Sequence, residues 1–294
     1  MKILRFNEER IGVTDGRKVV DVTDVVQNDM AEWPPVGINR LIRDFDRLKP
    51  VLQDRFEQDA GVAFDTVKLL TPVPWPNKLI AYPVNYHDHA VEMDSKGLAP
   101  IQGFFLKANS SLAGASEGVE LPDLPGREIH HECELAIVIG RGGREISIED
   151  AVSHVFGYAC LMDMTVRGRE ERVMRKSYET FTPVGPWIVT ADEVSDPANL
   201  EMRLWVNDEL RQSANTRDLI VDIPNMIAIA SSAMTLYPGD IIATGTPAGV
   251  DKVVDGDVMT IEIQDVGRMQ VSVKQGALGR NIVFEKPYEF VRHG

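Results

Sequence analysis

Most of the chain after residue 77 consists of short apolar segments separated by Gly, Pro and Asp. Runs of roughly four to eight apolar or alternating residues between such turn residues are typical of β-strands. The pattern therefore predicts many short strands and few long helices. The clearest strand or hairpin candidates are ELAIVIG (134–140), LEMRLWVNDEL (200–210), GDIIATG (239–245), DVMTIEIQDVG (257–267) and MQVSVKQG (269–276).

The first 70 residues differ in pattern and indicate a small module. KILRF (2–6) and KVVDVT (18–23) predict short strands joined through turn residues. Segment 38–60 carries apolar residues at helical spacing, and we expect Pro50 to divide it into two helices. The proline-rich stretch TPVPWPN (71–77) predicts a linker.

Two helices are predicted in the second part of the chain, SIEDAVSHVFGY (147–158) and the segment around DIPNMIAIASSAM (222–234). Together with the strands they indicate an α+β fold dominated by mixed strands. We expect a small N-terminal α+β domain over residues 1–70 and a larger domain over residues 71–294.

Composition and charge restrict the class of protein. The 294 residues include 31 Lys and Arg against 45 Asp and Glu, which gives a net charge of −14. This charge argues against nucleic-acid binding. The sequence has no apolar run long enough to span a membrane and no signal-peptide pattern at its start. The two cysteines do not suggest a disulfide framework, so we expect a cytoplasmic protein without membrane contacts.

Two glutamates interrupt a strand that otherwise appears buried, in HHECELAIVIG (130–140). Glu132 and Glu134 are two residues apart and share a strand face, so their carboxylates repel each other and need a positive partner. A hard divalent cation such as Mg²⁺ would provide it, with Asp163 in GYACLMDMTVRG as the third ligand. The alternatives are an exposed strand end or a glutamate paired with arginine.

A second cluster occurs in NYHDHAVE (85–92). One helical turn would bring His89 and Glu92 together, and a carboxylate next to a histidine fixes its tautomer and raises its basicity. The pair therefore predicts a general base, with a solvated helix start as the alternative. His130 and His131 are weaker candidates as ligands for a softer metal.

Lone lysines and a glycine-rich loop are the remaining candidates. Lys107 in GFFLKANSS and Lys176 in MRKSYETFTPVGPW would offset an enolate or carboxylate, unless they are surface lysines. The loop ATGTPAGV (243–250) would present backbone amides and a hydroxyl to an anion, unless it is a simple turn. It lacks the lysine and spacing of a P-loop, so GTP binding is not predicted.

Taken together, the motifs resemble the fumarylacetoacetate hydrolase (FAH) family, in its acylpyruvate hydrolase-like and 2-hydroxyhepta-2,4-diene-1,7-dioate isomerase-like branch. The resemblance covers about residues 75–275. The segments that carry it, in chain order, are NYHDHAVE, GFFLKANSS, HHECELAIVIG, GYACLMDMTVRG, RKSYETFTPVGPWIVT, VNDELRQSANT, TLYPGDIIATGTPAGV and DGDVMTIEIQDVG.

The resemblance implies roles for individual residues. The metal-binding acids would be Glu132, Glu134 and Asp163, holding Mg²⁺ or alternatively Mn²⁺ or Ca²⁺. The catalytic residues would be His89 and Glu92, which activate water, and Lys176, which lies near the developing negative charge. The substrate-binding residues would be Thr246, Gln212, Lys107 and Arg167.

The resemblance also implies a mixed β-sheet roll with a catalytic domain and a homodimeric state. We expect a metal-dependent C–C bond hydrolase of aromatic compound degradation that acts on a small 2-oxo acid. Its substrate would be an acylpyruvate such as fumarylpyruvate or maleylpyruvate, and pyruvate would leave as an enolate held at the metal. The alternatives are an oxaloacetate-type decarboxylase, a hydroxymuconate-type isomerase and a non-catalytic protein that binds 2-oxo acids.

The sequence departs from the family pattern at two positions. Pro83 stands where glycine is usual before the histidine motif, and Gly168 stands where the family has a second aspartate after Asp163. Asp163 and Arg167 are unaffected, so the metal prediction stands. The shape of the pocket, and with it the substrate, depends on the change at Gly168.

Overall fold

The computed structural model describes residues 1–95, 97–280 and 283. The final residues of the predicted 71–294 domain, 284–294, therefore lie outside the described part. The strands are β1 (Lys2–Phe6), β2 (Arg10–Thr14), β3 (Lys18–Asp21), β4 (Val62–Ala63), β5 (Leu69–Leu70), β6 (Leu79–Ala81), β7 (Phe105–Lys107), β8 (Leu112–Ala113), β9 (Val119–Leu121), β10 (Ile129–His130), β11 (Cys133–Ile139), β12 (Val155–Met162), β13 (Thr165–Val166), β14 (Thr182–Thr190), β15 (Glu201–Val206), β16 (Glu209–Asn215), β17 (Ile241–Ala243), β18 (Val258–Ile263) and β19 (Gly267–Gln275).

Short helices connect these strands. They are α1 (Gly37–Arg43), α2 (Phe45–Gln58), α3 (His87–Glu92), α4 (Ala99–Gln102), α5 (Ile148–Ala151), α6 (Arg172–Lys176) and α7 (Ile223–Ala233). Single 3₁₀ turns lie at Phe64–Thr66, Asn109–Ser111, Val152–His154, Ala191–Glu193 and Thr216–Asp218. Within the described residues, every helix is too short or too polar to cross a lipid bilayer.

Most strands belong to one large mixed sheet with β11 near its centre. The main order is β4-β3-β2-β1-β14-β12-β11-β17-β6-β7, and a second sheet has the order β16-β15-β18-β19-β9. Most neighbouring strands are antiparallel, whereas β17 and β6, β14 and β8, and β19 and β9 run parallel. This architecture confirms the predicted α+β class with mixed strands.

Strand β11 is buried on both faces, in agreement with the alternation in its sequence. One face carries Cys133, Leu135, Ile137 and Ile139, which pack in a core shared with the second sheet. The other face carries Ala136 and Val138, which pack in a core that includes helix α2. A strand covered on both sides needs apolar residues at nearly every position, which explains the continuous apolar run.

Two helix predictions need correction. The break in segment 38–60 falls at Asp44, whose backbone amide donates to the Arg40 carbonyl, and α2 continues through Pro50. Pro50 has no N–H to donate within the helix, yet the helix continues on both sides of it. The helix predicted over 147–158 ends after α5 and one 3₁₀ turn, because Phe156 to Tyr158 join the buried strand β12.

The N-terminal strands continue the large sheet. Lys2 and Ile3 of β1 pair with Val189 and Ile188 of β14, and Leu52 of α2 packs against the same face of the sheet. The boundary at residues 70 and 71 remains a prediction. If residues 1–70 and 71–294 are independent domains, the second should stay folded without the first, although the edge of β14 would then be exposed.

We expect a chain that begins at residue 71 to aggregate or to unfold well below the melting temperature of the full chain. Its β14 would lose the partner strand β1, and the core under α2 would be exposed to water. Thermal unfolding and light scattering of the two chains provide the measurement. Equal melting temperatures would instead establish residues 71–294 as an independent domain.

Candidate active site

The antiparallel pairing of β11 and β12 brings the three predicted metal acids together. Cys133 at the start of β11 pairs with Met162 at the end of β12. Glu132 therefore lies beside Asp163, and the Asp163 amide donates to the Glu132 carbonyl at 2.9 Å. Glu134, two residues further along the strand, points to the same face as Glu132.

The three carboxylates form one buried cluster with two lysines. Glu132, Glu134 and Asp163 are 5%, 2% and 1% exposed, and each offers an oxygen within 4.8 Å of the others. The Lys176 ammonium donates to Glu132 Oε2 at 2.7 Å and to Asp163 Oδ2 at 2.8 Å. Lys107, from the end of β7, is ion-paired with Asp163. Lys176 and Lys107 thus provide the positive charge that we expected beside the two glutamates.

Burial and neighbouring charges shift the pKa values of this cluster in different directions. Burial raises the pKa of Glu132, but the Lys176 and Arg167 charges outweigh it and hold that pKa at about 2. Burial and the Asp163 and Glu132 carboxylates raise the pKa of Glu134 well above its ordinary value, and the Lys176 charge opposes them only in part. The pKa of Lys176 is raised because Asp163 and Glu132 outweigh the opposing effect of burial. Before a metal binds, these opposite pKa shifts favour a proton on Glu134 rather than on Glu132.

The donor set fits a hard divalent cation. All three candidate ligands are carboxylates, which Mg²⁺, Mn²⁺ and Ca²⁺ prefer, and their oxygens converge closely enough to share one ion. His131 turns away from the acids and lies within hydrogen-bond distance of Gln212. His130 lies beside Glu128 at the surface side. Neither histidine joins the cluster, so the softer-metal alternative gains no support from the described residues.

His89 and Glu92 form the predicted pair on helix α3. His89 Nδ1 lies 2.9 Å from Glu92 Oε2, and Glu92 Oε1 accepts from the Gly249 amide at 2.9 Å. An ionised carboxylate only accepts hydrogen bonds, so Nδ1 carries the hydrogen, and in the neutral imidazole Nε2 is then the nitrogen with the lone pair. The histidine is 6% exposed and lines the same cavity as the acids.

The glycine-rich loop after β17 closes the site from the other side. The Gly245 amide donates to Glu134 Oε2 at 2.8 Å. Thr246 is 3% exposed and lines the cavity. Gln212 lies behind it on β16 and donates to the Thr246 hydroxyl at 2.8 Å. The loop is therefore tied to the metal acids and to the second sheet.

A cavity of about 610 Å³ joins these groups. Seven of the residues predicted from the sequence line it, namely His89, Glu132, Glu134, Asp163, Arg167, Lys176 and Thr246. Lys107, Gln212 and Glu92 do not line it and act on the site through bonds to residues that do. The roles of all ten residues remain predictions.

Two arginines of the cavity are not among the individual residues predicted from the sequence. Arg172 and Arg175 lie on helix α6, in a charged run that resembles any solvated surface segment. Arg175 donates to the Glu170 and Val166 carbonyls, whereas the Arg172 guanidinium has no hydrogen-bond or ion-pair partner among the described residues. Only the spacing of Arg172 four residues before Lys176 would have signalled that both face the site.

Gly168 lies in the wall of this cavity. A side chain there would overlap Glu170, and its Cβ would lie 2.6 Å from Arg127 Nη1. Arg127 and Glu170 are themselves ion-paired at 2.6 Å. The absence of a side chain at 168 therefore lets this pair pack against the chain behind the cavity.

Comparison with known proteins identifies the family. Residues 78–274 match the model of the fumarylacetoacetate (FAA) hydrolase C-terminal domain. The chain belongs to the fumarylacetoacetate hydrolase family. The family inferred from the motifs is thereby confirmed.

Several relatives of this FAH-family chain carry names that specify an activity. Maleylpyruvate hydrolase of Aquipseudomonas alcaligenes is 45% identical over 93% of this chain and 99% of its own length. The crystal structure of maleylpyruvate hydrolase from Sphingobium sp. SYK-6, in complex with manganese (II) ion and pyruvate, is 55% identical, with a TM-score of 0.87 over 94% of this chain and 100% of that one. The oxaloacetate tautomerase YisK of Bacillus subtilis is 39% identical over 69% of this chain and 72% of its own length.

We expect Mn²⁺ or Mg²⁺ binding to release a proton from Glu134 at a pH below its raised pKa. Burial and the neighbouring carboxylates favour the protonated carboxyl of Glu134 in the metal-free protein by raising this pKa, whereas a metal ligand must be ionised. Metal affinity should therefore rise as pH rises through that pKa. Titration calorimetry in two buffers with different ionisation enthalpies measures the released proton.

Substitution of a second acid of the site, Glu92, is the control for the effect of Glu134 on metal binding. Glu134→Gln should weaken metal binding by at least about 100-fold. Glu92→Gln should retain both metal binding and proton release, because Glu92 bonds His89 and Gly249 rather than the cluster. Equal heats in the two buffers for the unaltered protein would show that Glu134 is already ionised.

Proposed function

We propose that this protein is a metal-dependent hydrolase that cleaves a C–C bond in an acylpyruvate, such as maleylpyruvate or fumarylpyruvate. The observation that carries the proposal is that a buried carboxylate triad and a bonded His–Glu pair meet in one cavity. The similarity to two maleylpyruvate hydrolases over 93% and 94% of the chain supports it. The manganese and pyruvate in the second of these support a divalent metal and a 2-oxo acid product.

The charges of the site favour an anionic substrate even though the whole chain is acidic. The triad faces the cationic side chains of Lys107, Lys176 and Arg167, so the ionised cluster carries no net charge. A divalent cation would give it two positive charges. A substrate with two carboxylates would restore neutrality, and Arg172 adds a further cation at the cavity wall.

The His–Glu pair provides the base for hydrolysis. Glu92 holds the tautomer of His89 in which Nε2 has a free lone pair. Nε2 takes a proton from water as the water oxygen attacks the acyl carbonyl. The C–C bond then breaks, its electron pair leaves with the pyruvate fragment as an enolate, and proton uptake at carbon gives pyruvate beside the carboxylic acid of the acyl group.

Cationic groups of the same cavity stabilise the leaving fragment. A divalent cation held by Glu132, Glu134 and Asp163 would supply Lewis-acid charge for the 2-oxo acid. Lys176 places a positive charge at the same carboxylates, where negative charge develops. Arg167 Nη2 lies 3.5 Å from Glu132 Oε1, and Arg167 Nε has no hydrogen-bond partner among the described residues, so Nε is available to a substrate oxygen.

The second candidate is an oxaloacetate decarboxylase or tautomerase. It is favoured by the 39% identity to the tautomerase of Bacillus subtilis. Oxaloacetate decarboxylation needs no attacking water, so it leaves the His89–Glu92 pair without a function. For the resident ion we propose Mg²⁺ or Mn²⁺, and we retain the homodimer and the cytoplasm as proposals that rest on the family resemblance and the composition.

We expect the protein to cleave acylpyruvates in the presence of Mg²⁺ or Mn²⁺ and to lose this activity in EDTA. His89→Ala should lower acylpyruvate hydrolysis by about 100-fold or more, since general base catalysis contributes at least that much. Oxaloacetate decarboxylation should change far less. Pyruvate release and loss of diketone absorbance measure both reactions, with fumarylpyruvate, maleylpyruvate, acetylpyruvate and oxaloacetate as substrates.

The same assays can contradict the proposed hydrolase function. Equal loss of both reactions in His89→Ala would rule out His89 as the base for water. His87→Ala is the control on the same helix, since His87 does not line the cavity. Turnover of oxaloacetate alone would establish the second candidate, and tight binding without turnover of any substrate would establish a 2-oxo acid binding protein.

Arg172 should select substrates whose acyl group ends in a carboxylate. It lies four residues before Lys176, so the two side chains emerge from α6 roughly 6 Å apart along the helix. Arg172→Gln should lower kcat/KM for maleylpyruvate and fumarylpyruvate by about tenfold, the effect of one charged hydrogen bond, and leave acetylpyruvate unchanged. The control is Arg169→Gln, an exposed arginine of the same segment that does not line the cavity. Equal effects on all three substrates would exclude this role.

A further inference from the structure

The amide of Gln212 is fixed in one orientation by its four neighbours. Its Oε1 accepts from the Cys133 amide at 2.9 Å, and its Nε2 donates to the Pro247 carbonyl at 2.9 Å. A backbone N–H only donates and a carbonyl only accepts, so the two ends of the amide are not interchangeable. The third contact of the amide, from Nε2 to Thr246 Oγ1, is therefore a donation to the hydroxyl oxygen.

This donation determines what the Thr246 hydroxyl offers to the cavity. One lone pair of Oγ1 is taken by Gln212, and the hydroxyl hydrogen must point away from the Nε2–H group. The hydroxyl hydrogen finds no acceptor among the described residues, and the side chain lines the cavity. Thr246 therefore presents a hydrogen-bond donor, which suits an anionic oxygen of a ligand.

His131 and the loop backbone hold Gln212 in this position. His131 Nδ1 lies 3.1 Å from Gln212 Oε1, and because that oxygen only accepts, Nδ1 carries the hydrogen. Gly249 has φ +98°, and its Cβ position would lie against the Arg211 carbonyl and 3.2 Å from the Gln212 side chain. The loop is thus packed directly on β16, with Gln212 buried between them at 1% exposure.

We propose that Gln212 is a positioning residue that makes Thr246 a hydrogen-bond donor to the substrate carboxylate. Gln212 does not touch the substrate itself, because both ends of its amide are bonded within the protein. His131 is the second positioning residue, since it fixes the acceptor end of that amide. The inference rests on the proposed function in so far as a 2-oxo acid is the ligand of this cavity.

A double-mutant cycle between Gln212 and Thr246 tests the proposal. Gln212→Met keeps the length of the side chain and removes its hydrogen bonds, and Thr246→Val removes the hydroxyl. Each single variant should weaken pyruvate binding to the Mn²⁺-loaded protein by about tenfold, as expected for a hydrogen bond to a charged group. The double variant should bind no more than about twofold more weakly than Thr246→Val alone, because Gln212 acts through the hydroxyl.

Calorimetry with pyruvate is the binding measurement, and acylpyruvate kinetics should show a raised KM with little change in kcat. Ser213→Ala is the control, since Ser213 is exposed on the same strand and should leave binding unchanged. Effects that multiply in the double variant would overturn the proposal and assign Gln212 a direct contact. Unchanged binding in Gln212→Met would overturn it as well.

A second variant decides the question if Gln212→Met does not fold. His131→Phe removes the Nδ1 donor, and its effect on pyruvate binding should likewise vanish in the Thr246→Val background. If the effect of His131→Phe persists in that background, His131 and Gln212 do not act through the Thr246 hydroxyl. The outcome is distinct from that of the proposed hydrolase activity. Coupled pyruvate binding without acylpyruvate turnover would refute the hydrolase alone. Additive effects in an active hydrolase, or no pyruvate binding by an active hydrolase, would refute the role of Gln212 alone.

Discussion

Three carboxylates buried in one cluster are the constraint on which the site depends. Ionised carboxylates withdrawn from water are costly unless cations and hydrogen bonds replace the lost hydration. The protein supplies Lys176 and Lys107 from elements far apart in the sequence, and the Gly245 amide from a third. The hairpin of β11 and β12, strand β7, helix α6 and the loop after β17 must therefore all be in place together.

The loop at residues 243–250 links the separate parts of the cavity. Gly245 donates to the predicted metal ligand Glu134, Thr246 accepts from Gln212 of the second sheet, and Gly249 donates to Glu92 of the histidine pair. Two of these ties are made by backbone amides and do not depend on the side chains of the loop. The proposed metal site, substrate anchor and general base are thus all bonded to one short segment, which follows strand β17 between β11 and β6 in the large sheet.

The same alternation of side chains builds both the core and the site. Residues of β11 at odd positions pack with the second sheet, and those at even positions pack with the N-terminal helices. Glu132 and Glu134 begin the even series, where the apolar layer ends and the cavity opens. One face of the strand therefore carries both core residues and cavity carboxylates, and the register of the strand determines the position of both sets.

The sequence by itself determined the strand-rich α+β class, the two-sided burial of β11, the acid triad and the His89–Glu92 pair. These depend on local periodicity and on residue types that are unusual in buried segments. Only the tertiary structure showed that Lys107 and Lys176 pair with the acids, that Gln212 is enclosed within the protein, and that Arg172 faces the cavity. Such contacts join residues dozens of positions apart, and no local pattern distinguishes a lysine or arginine that folds inward from one that stays in water. The 147–158 helix is lost to β12 for a related reason, since burial in the sheet outweighs local helix preference.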